Sequence, residues 1–207
     1  MKPWLHRHAV RLGSALAALA IAWLLKHHYS HASAEALRLI LAPTAWLTSL
    51  VLGGHFQFLA DEGYLSRQHS ILISPACAGV NFLIVAFLSV LGTAALSSPL
   101  GCGSSFNTPR RALAWLTGAL AVAYVATLLV NTARIALSVA VAHLAAHVLG
   151  LTFHSVHRWI GIAVYLTGLL ALCLTLQVWL SSRGARFARS ATLLVALAIG
   201  KTMPKAG

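Results

Sequence analysis

Acidic residues are almost missing from this chain. Among 207 residues only Glu35, Asp61 and Glu62 carry a carboxylate, against 15 Lys and Arg. That scarcity excludes several chemistries. An aspartyl intramembrane protease needs two carboxylates inside its helices, and none of the three falls in a clear apolar stretch. A zinc protease of the His-Glu-x-x-His type needs a Glu beside its ligands. His143 and His147 have that spacing, but only Leu144, Ala145 and Ala146 lie between them. Proton-coupled transport, which usually uses an intramembrane carboxylate, is disfavoured for the same reason. A rhomboid-like Gly-x-Ser-Gly is absent as well. Cysteine is also sparse: Cys77, Cys102 and Cys173 form no CxxC pair and no disulfide framework. Charged residues make up 9% of the chain, where soluble domains carry about 25%. A soluble globular enzyme cannot cover its surface with so few charges, and disorder is excluded by the same deficit.

What fills the chain is apolar. Hydrophobic types account for 59% and the mean hydropathy is +0.82. The net charge of +12 does not point to nucleic acid, because the basic residues flank apolar runs, as they do at cytoplasmic edges of membrane helices. A membrane helix needs about 20 mostly apolar residues. Candidate runs cover about 12–25, 36–53, 76–96, 112 to about 148 (stopped by Gly150), and 158–180, with a short last run at 191–200. The expected fold is all-α: a polytopic integral membrane helical bundle of about five to six transmembrane helices, forming one domain over 1–207. Segment 54–74 holds Asp61 and Glu62 and has strand-like patches at Phe56–Leu59 and Ile71–Ile73. It is expected to be a non-spanning outer cap. Gly92 and Gly118 are expected to admit close helix packing.

Orientation follows from the basic loops. Arg110 and Arg111, and then Arg183, Arg186 and Arg189, belong in the cytoplasm. The run starting at 76 and the run starting at 158 then begin at the outer face. Lys2, Arg7 and Arg11 conflict with this, since alternation over two further spans would put them outside.

Three reactive residues arrive at that outer face. Cys77 follows Ser74-Pro75-Ala76, and Pro favours a helix first turn. A thiol in such a turn meets the positive end of the helix dipole, which favours the thiolate. Ala78 and Gly79 are small, so a substrate backbone can approach the sulfur. The bland alternative is a buried structural Cys. Arg134 lies roughly 33 Å along its helix from residue 112, about one hydrocarbon thickness. An Arg there is usually functional, or else a snorkelling anchor. Asn131 is one turn earlier on the same face. His157 opens the last long run, with His154 three residues before it. Thiolate, imidazole and guanidinium are the parts of acyl transfer: nucleophile, acid/base, and oxyanion or substrate-orienting donor. Such a site needs no metal and no cofactor.

Pro75-Ala76-Cys77-Ala78-Gly79, Asn131-Thr132-Ala133-Arg134 and His157-Arg158-Trp159-Ile160-Gly161 together resemble the ordered Cys-small-Gly, Asn-x-x-Arg and His-x-x-x-Gly motifs of the exosortase/archaeosortase family. The match covers roughly 70–180, and the size resembles the compact, exosortase K-like subtypes. The resemblance implies a cysteine protease/transpeptidase whose catalytic core spans 76–180. It implies Cys77 as nucleophile, Arg134 as oxyanion or orienting residue and His157 as acid/base, with His154 the alternative. The implied partners are exported proteins with a C-terminal tripartite sorting tail, cleaved at the outer face of a bacterial inner membrane and passed to a surface acceptor. Two other classes compete. One is a metal- or haem-binding protein built on His143, His147, His154 and His157; the other is a non-catalytic membrane subunit.

Overall fold

The computed structural model describes residues 3–30, 32–96, 108–148 and 153–202, with side chains described for 8–30, 32–96, 108–141 and 157–182. Five helices form an all-α bundle: α1 (Pro3–Tyr29), α2 (Arg38–Leu52), α3 (Val80–Leu96), α4 (Pro109–Val148) and α5 (Phe153–Thr202). Four of them contain segments long and apolar enough to cross a membrane: His8–Tyr29, Pro75–Leu96, Pro109–Val141 and His157–Ser182. The bundle is a membrane protein.

The expected second span behaves differently. α2 has only 15 residues, about 22 Å of helix against a hydrocarbon core of about 30 Å. It starts beside the middle of α4 rather than at its end, because the Tyr124 hydroxyl donates to the Leu39 carbonyl at 2.6 Å. It ends where Gly53 and Gly54 both take positive φ, a conformation that non-glycine residues rarely adopt. The long apolar spans therefore number four among the described residues. At the other extreme, α5 runs without a break through Arg183 to Thr202, so the run 191–200 is a continuation of this helix. α4 ends at Val148, where the sequence predicts its stop.

The surface is inverted relative to a soluble protein. On α5, Trp159, Ile162, Leu166, Leu170, Leu174 and Val178 form a helical stripe, each 44–71% exposed. On α1, Leu12, Leu16, Leu19 and Trp23 do the same. Lipid is the solvent that makes such stripes cheap. Inside, polar residues are buried: Thr44, Thr48 and Thr127 each return their hydroxyl to the carbonyl four residues back, so these three donors are satisfied within their own helices. α4 is central and packs against each of the other four helices. Its buried seam reads Ala112, Leu116, Ala119, Ala123, Thr127, Asn131, Ile135 and Ser138, at three- and four-residue steps. The small residues along it let α3 approach closely, filling the gap with Phe82, Phe87 and Val90.

Segment 54–74 folds as a three-stranded antiparallel meander, β1 (Gln57–Leu59), β2 (Gly63–Ser66) and β3 (Ile71–Ile73). The two strand-like patches are the outer strands. β2 carries no alternating apolar signal, and it begins at Gly63, whose φ is +119°. A Cβ there would meet the Ile73 carbonyl oxygen at 2.2 Å, so only glycine lets β3 lie this close. The buried Ile73 then leads straight into the turn that carries Cys77.

The glycines that admit close packing are not the expected pair. A Cβ at Gly92 or Gly118 would meet nothing within 4 Å, whereas at Gly168 it would strike Val130 Cγ2 at 2.7 Å. Replacing Gly168 by Ala should therefore destabilise the bundle by about 1–3 kcal/mol through overpacking at the α4–α5 contact. Gly118→Ala should be neutral or slightly stabilising, as removing a mid-helix glycine usually is. Thermal unfolding of the two variants in detergent checks the contrast.

Candidate active site

The turn carrying Cys77 is built from Pro75–Cys77, a single 3-10 turn rather than the first turn of α3. Its backbone closes through Cys77 N–H to the Ser74 carbonyl and Ala78 N–H to the Pro75 carbonyl. The chain then reverses at Gly79, φ +72°, whose carbonyl accepts the first bond of α3, from Leu83 N–H. Cys77 thus precedes the helix, half-buried.

Asn131, fully buried on α4, donates from Nδ2 to the Cys77 carbonyl. Its Oδ1 accepts from the Tyr165 hydroxyl at 3.0 Å. The same hydroxyl accepts from Arg134 Nη1 at 2.9 Å. Arg134 Nη2 lies 2.6 Å from His157 Nε2, and His157 Nδ1 lies 3.0 Å from Ser138 Oγ. A guanidinium has donors only. Nε2 must therefore accept, which assigns the imidazole proton to Nδ1 and makes Ser138 Oγ its acceptor. The result is one continuous chain: Cys77 backbone, Asn131, Tyr165, Arg134, His157, Ser138. It links residues separated by 54 and 23 positions in sequence.

The small residues of the motifs acquire physical reasons. A Cβ on Gly161 would sit 2.9 Å from Arg134 Nε, so glycine lets the guanidinium lie across α5. A Cβ on Gly79 would press on Thr127 Cγ2 and the Tyr165 hydroxyl at 3.3 Å, in a backbone conformation that L side chains avoid. Ala78 is buried in the core; its smallness serves packing, not access to the sulfur. Arg134 Nε, by contrast, is buried with no hydrogen-bond partner.

The structure thus gathers Cys77, Gly79, Asn131, Arg134 and His157 at one end of the bundle. The thiol's own described bond is from the Ser74 hydroxyl, at 3.9 Å, and the described bonds of the imidazole run to Arg134 and Ser138. The side chains of His143, His147 and His154 lie outside those described. No group of three or more metal-ligating side chains occurs among the described residues. Sequence reasoning missed Tyr165 and Ser138. Both were readable as periodic polar interruptions of apolar helices: Thr127, Asn131, Arg134, Ser138 on α4, and His157, Gly161, Tyr165 on α5.

Beside this network is a cavity of about 670 Å³ lined by the end of α1, the Cys77 turn and the start of α5, including Lys26, Pro75, Gly79, Arg134, His157 and Tyr165. Lys26 Nζ donates to Asn81 Oδ1 at 2.9 Å, which fastens the C-terminal end of α1 to the N-terminal end of α3. Comparison with protein-family models, with curated proteins and with solved structures found no match to this chain.

Tyr165→Phe should leave Asn131 Oδ1 and Arg134 Nη1 without their shared partner and cost about 1–3 kcal/mol, read as a lower unfolding temperature in detergent. Arg134→Lys should be at least as damaging, because a single ammonium cannot reach both the hydroxyl and the imidazole as a planar fork does.

Proposed function

We propose that this protein is a membrane cysteine peptidase or transpeptidase of the exosortase/archaeosortase kind, acting on the C-terminal sorting tails of exported proteins. The observation that carries this reading is the hydrogen-bonded chain itself: three motifs distant in sequence converge on one network beside one cavity. The chemistry then runs as follows. A substrate carbonyl enters the cavity and takes the Arg134 N–H, which releases the Nε2 lone pair of His157. Nε2 removes the Cys77 thiol proton and the sulfur attacks the carbonyl carbon. Arg134 stabilises the oxyanion. As the C–N bond breaks, Nε2–H gives its proton to the leaving amine, leaving a thioester on Cys77. Water or an acceptor nucleophile attacks the thioester, passes its proton to His157, and the thiol is restored. Ser138 keeps the imidazole ring in register throughout.

The topology supports an outer-face site. Because α2 is too short to cross, α1 and α3 are consecutive spans, and Lys26–Asn81 joins their adjacent ends. Arg7 and Arg11 near the start of α1 then share a side with Arg110 and Arg111 of α4 and the arginines of 183–189 in α5, as the positive-inside rule requires. On this reading the basic residues no longer conflict. The site lies at the opposite end, facing the outside of a bacterial inner membrane.

Co-expression with a tagged protein bearing the tripartite tail, read by gel shift and mass spectrometry, tests this function. Cys77→Ala should abolish tail removal at unchanged abundance, and His157→Ala should slow it by about 10²–10⁴-fold. Processing that survives Cys77→Ala removes the mechanism.

A further inference from the structure

The cavity has a charge problem that peptide cleavage does not explain. Lys26, Arg134 and Arg158 all line it, and no acidic side chain does. The chain has no carboxylate to spare. Glu35 is paired with Arg38, and Asp61 and Glu62 occupy the turn between β1 and β2. Three cations around one cavity repel one another, and an anion among them reduces that cost. The volume of about 670 Å³ is that of a small-ligand site.

The walls say where the anion comes from. Ile162 lines the cavity and also belongs to the lipid-facing stripe of α5. Trp159, next to Arg158, is 71% exposed; on α1, Trp23, one turn before Lys26, is 63% exposed. Exposed tryptophans beside basic residues mark the membrane–water interface, the depth at which phosphates of lipid headgroups lie. α1 and α5 each pack on α3 and α4, and the cavity lies between the end of one and the start of the other. A soluble anion has no use for an apolar wall continuous with the lipid-facing surface.

We infer that this cavity holds the phosphate of an anionic membrane phospholipid headgroup, gripped by Lys26 from α1 and Arg158 from α5, with the acyl chains lying against Ile162 and the lipid-facing surface. The inference rests on Lys26 and Arg158, and does not use Arg134 and His157, to which the proposed function brings the substrate carbonyl. Lys26 and Arg158 bind; Arg134 stays engaged with Tyr165 and His157.

The test uses the full chain in mild detergent, with native mass spectrometry for retained lipid and thermal unfolding for stabilisation. The probes are phosphatidylglycerol, diacylglycerol of the same chains, inorganic phosphate and a short acidic peptide. Phosphatidylglycerol alone should be retained and raise the unfolding temperature. Lys26→Gln and Arg158→Gln should each weaken retention about fivefold. Lys26→Arg and Arg158→Lys should keep it, which separates charge from folding. Equal stabilisation by diacylglycerol overturns the phosphate grip. Equal stabilisation by inorganic phosphate, or displacement of the lipid by the acidic peptide, assigns the cavity to a soluble anion or a peptide instead. Retention unchanged in Lys26→Gln/Arg158→Gln would show that the two cations are interface anchors only.

Discussion

The Arg134 guanidinium dictates much of what surrounds it. It sits far along an apolar helix, in a chain with no carboxylate nearby to neutralise it. A cation in that position persists only if dipoles replace its water. Tyr165 and His157 supply two of them, and the Tyr165 ring lies under the guanidinium carbon at 5.2 Å. Each of these has its own requirement. The hydroxyl of Tyr165 is held by Asn131, and the ring of His157 by Ser138. Gly161 must lack a side chain for the guanidinium to lie where it does. Asn131 in turn fixes the Cys77 turn through its carbonyl. Removing the charge would break the two bonds in this series that Arg134 itself makes, to Tyr165 and His157.

Packing and chemistry share one surface of α4. Along the first half of the seam the residues are Ala112, Leu116, Ala119 and Ala123; along the second they are Thr127, Asn131, Arg134 and Ser138. The first half gains dispersion contact by close approach. The second gains hydrogen bonds that would be worth little in water and are worth more where no water competes. Because both halves use the same face, the packing that assembles the bundle also delivers the polar residues to one another. Function at that end therefore adds no separate scaffold.

The helices were legible because a 3.6-residue period in long apolar runs has few other meanings, and the end of α4 at Val148 was legible from the glycine that follows in sequence. Cys77, Arg134 and His157 stood out as reactive groups where apolar ones were expected. Asn131 was legible by its spacing from Arg134. The non-crossing α2 was not, because 36–53 has the composition of a span, and only its tether to Tyr124 and the glycine pair at its end reveal its depth. β2 hid because a strand in a small meander needs register, not alternation. Gly92 and Gly118 misled because composition cannot tell a glycine facing a neighbour from one facing open space. Lys26 was invisible because its importance lies in a partner on another helix.

The resting hydrogen bonds also constrain the proposed chemistry. His157 Nε2 has one lone pair in the ring plane, and Arg134 occupies it at 2.6 Å. That lone pair cannot at the same time accept the thiol proton. Arg134 likewise cannot serve an oxyanion with the N–H it gives to the imidazole. Nε2 is therefore occupied until a substrate carbonyl competes for that N–H. In the proposed mechanism, one exchange of hydrogen bonds would activate the base and form the oxyanion site together. The pairing that stabilises the buried cation would thereby also tie release of the base to substrate entry.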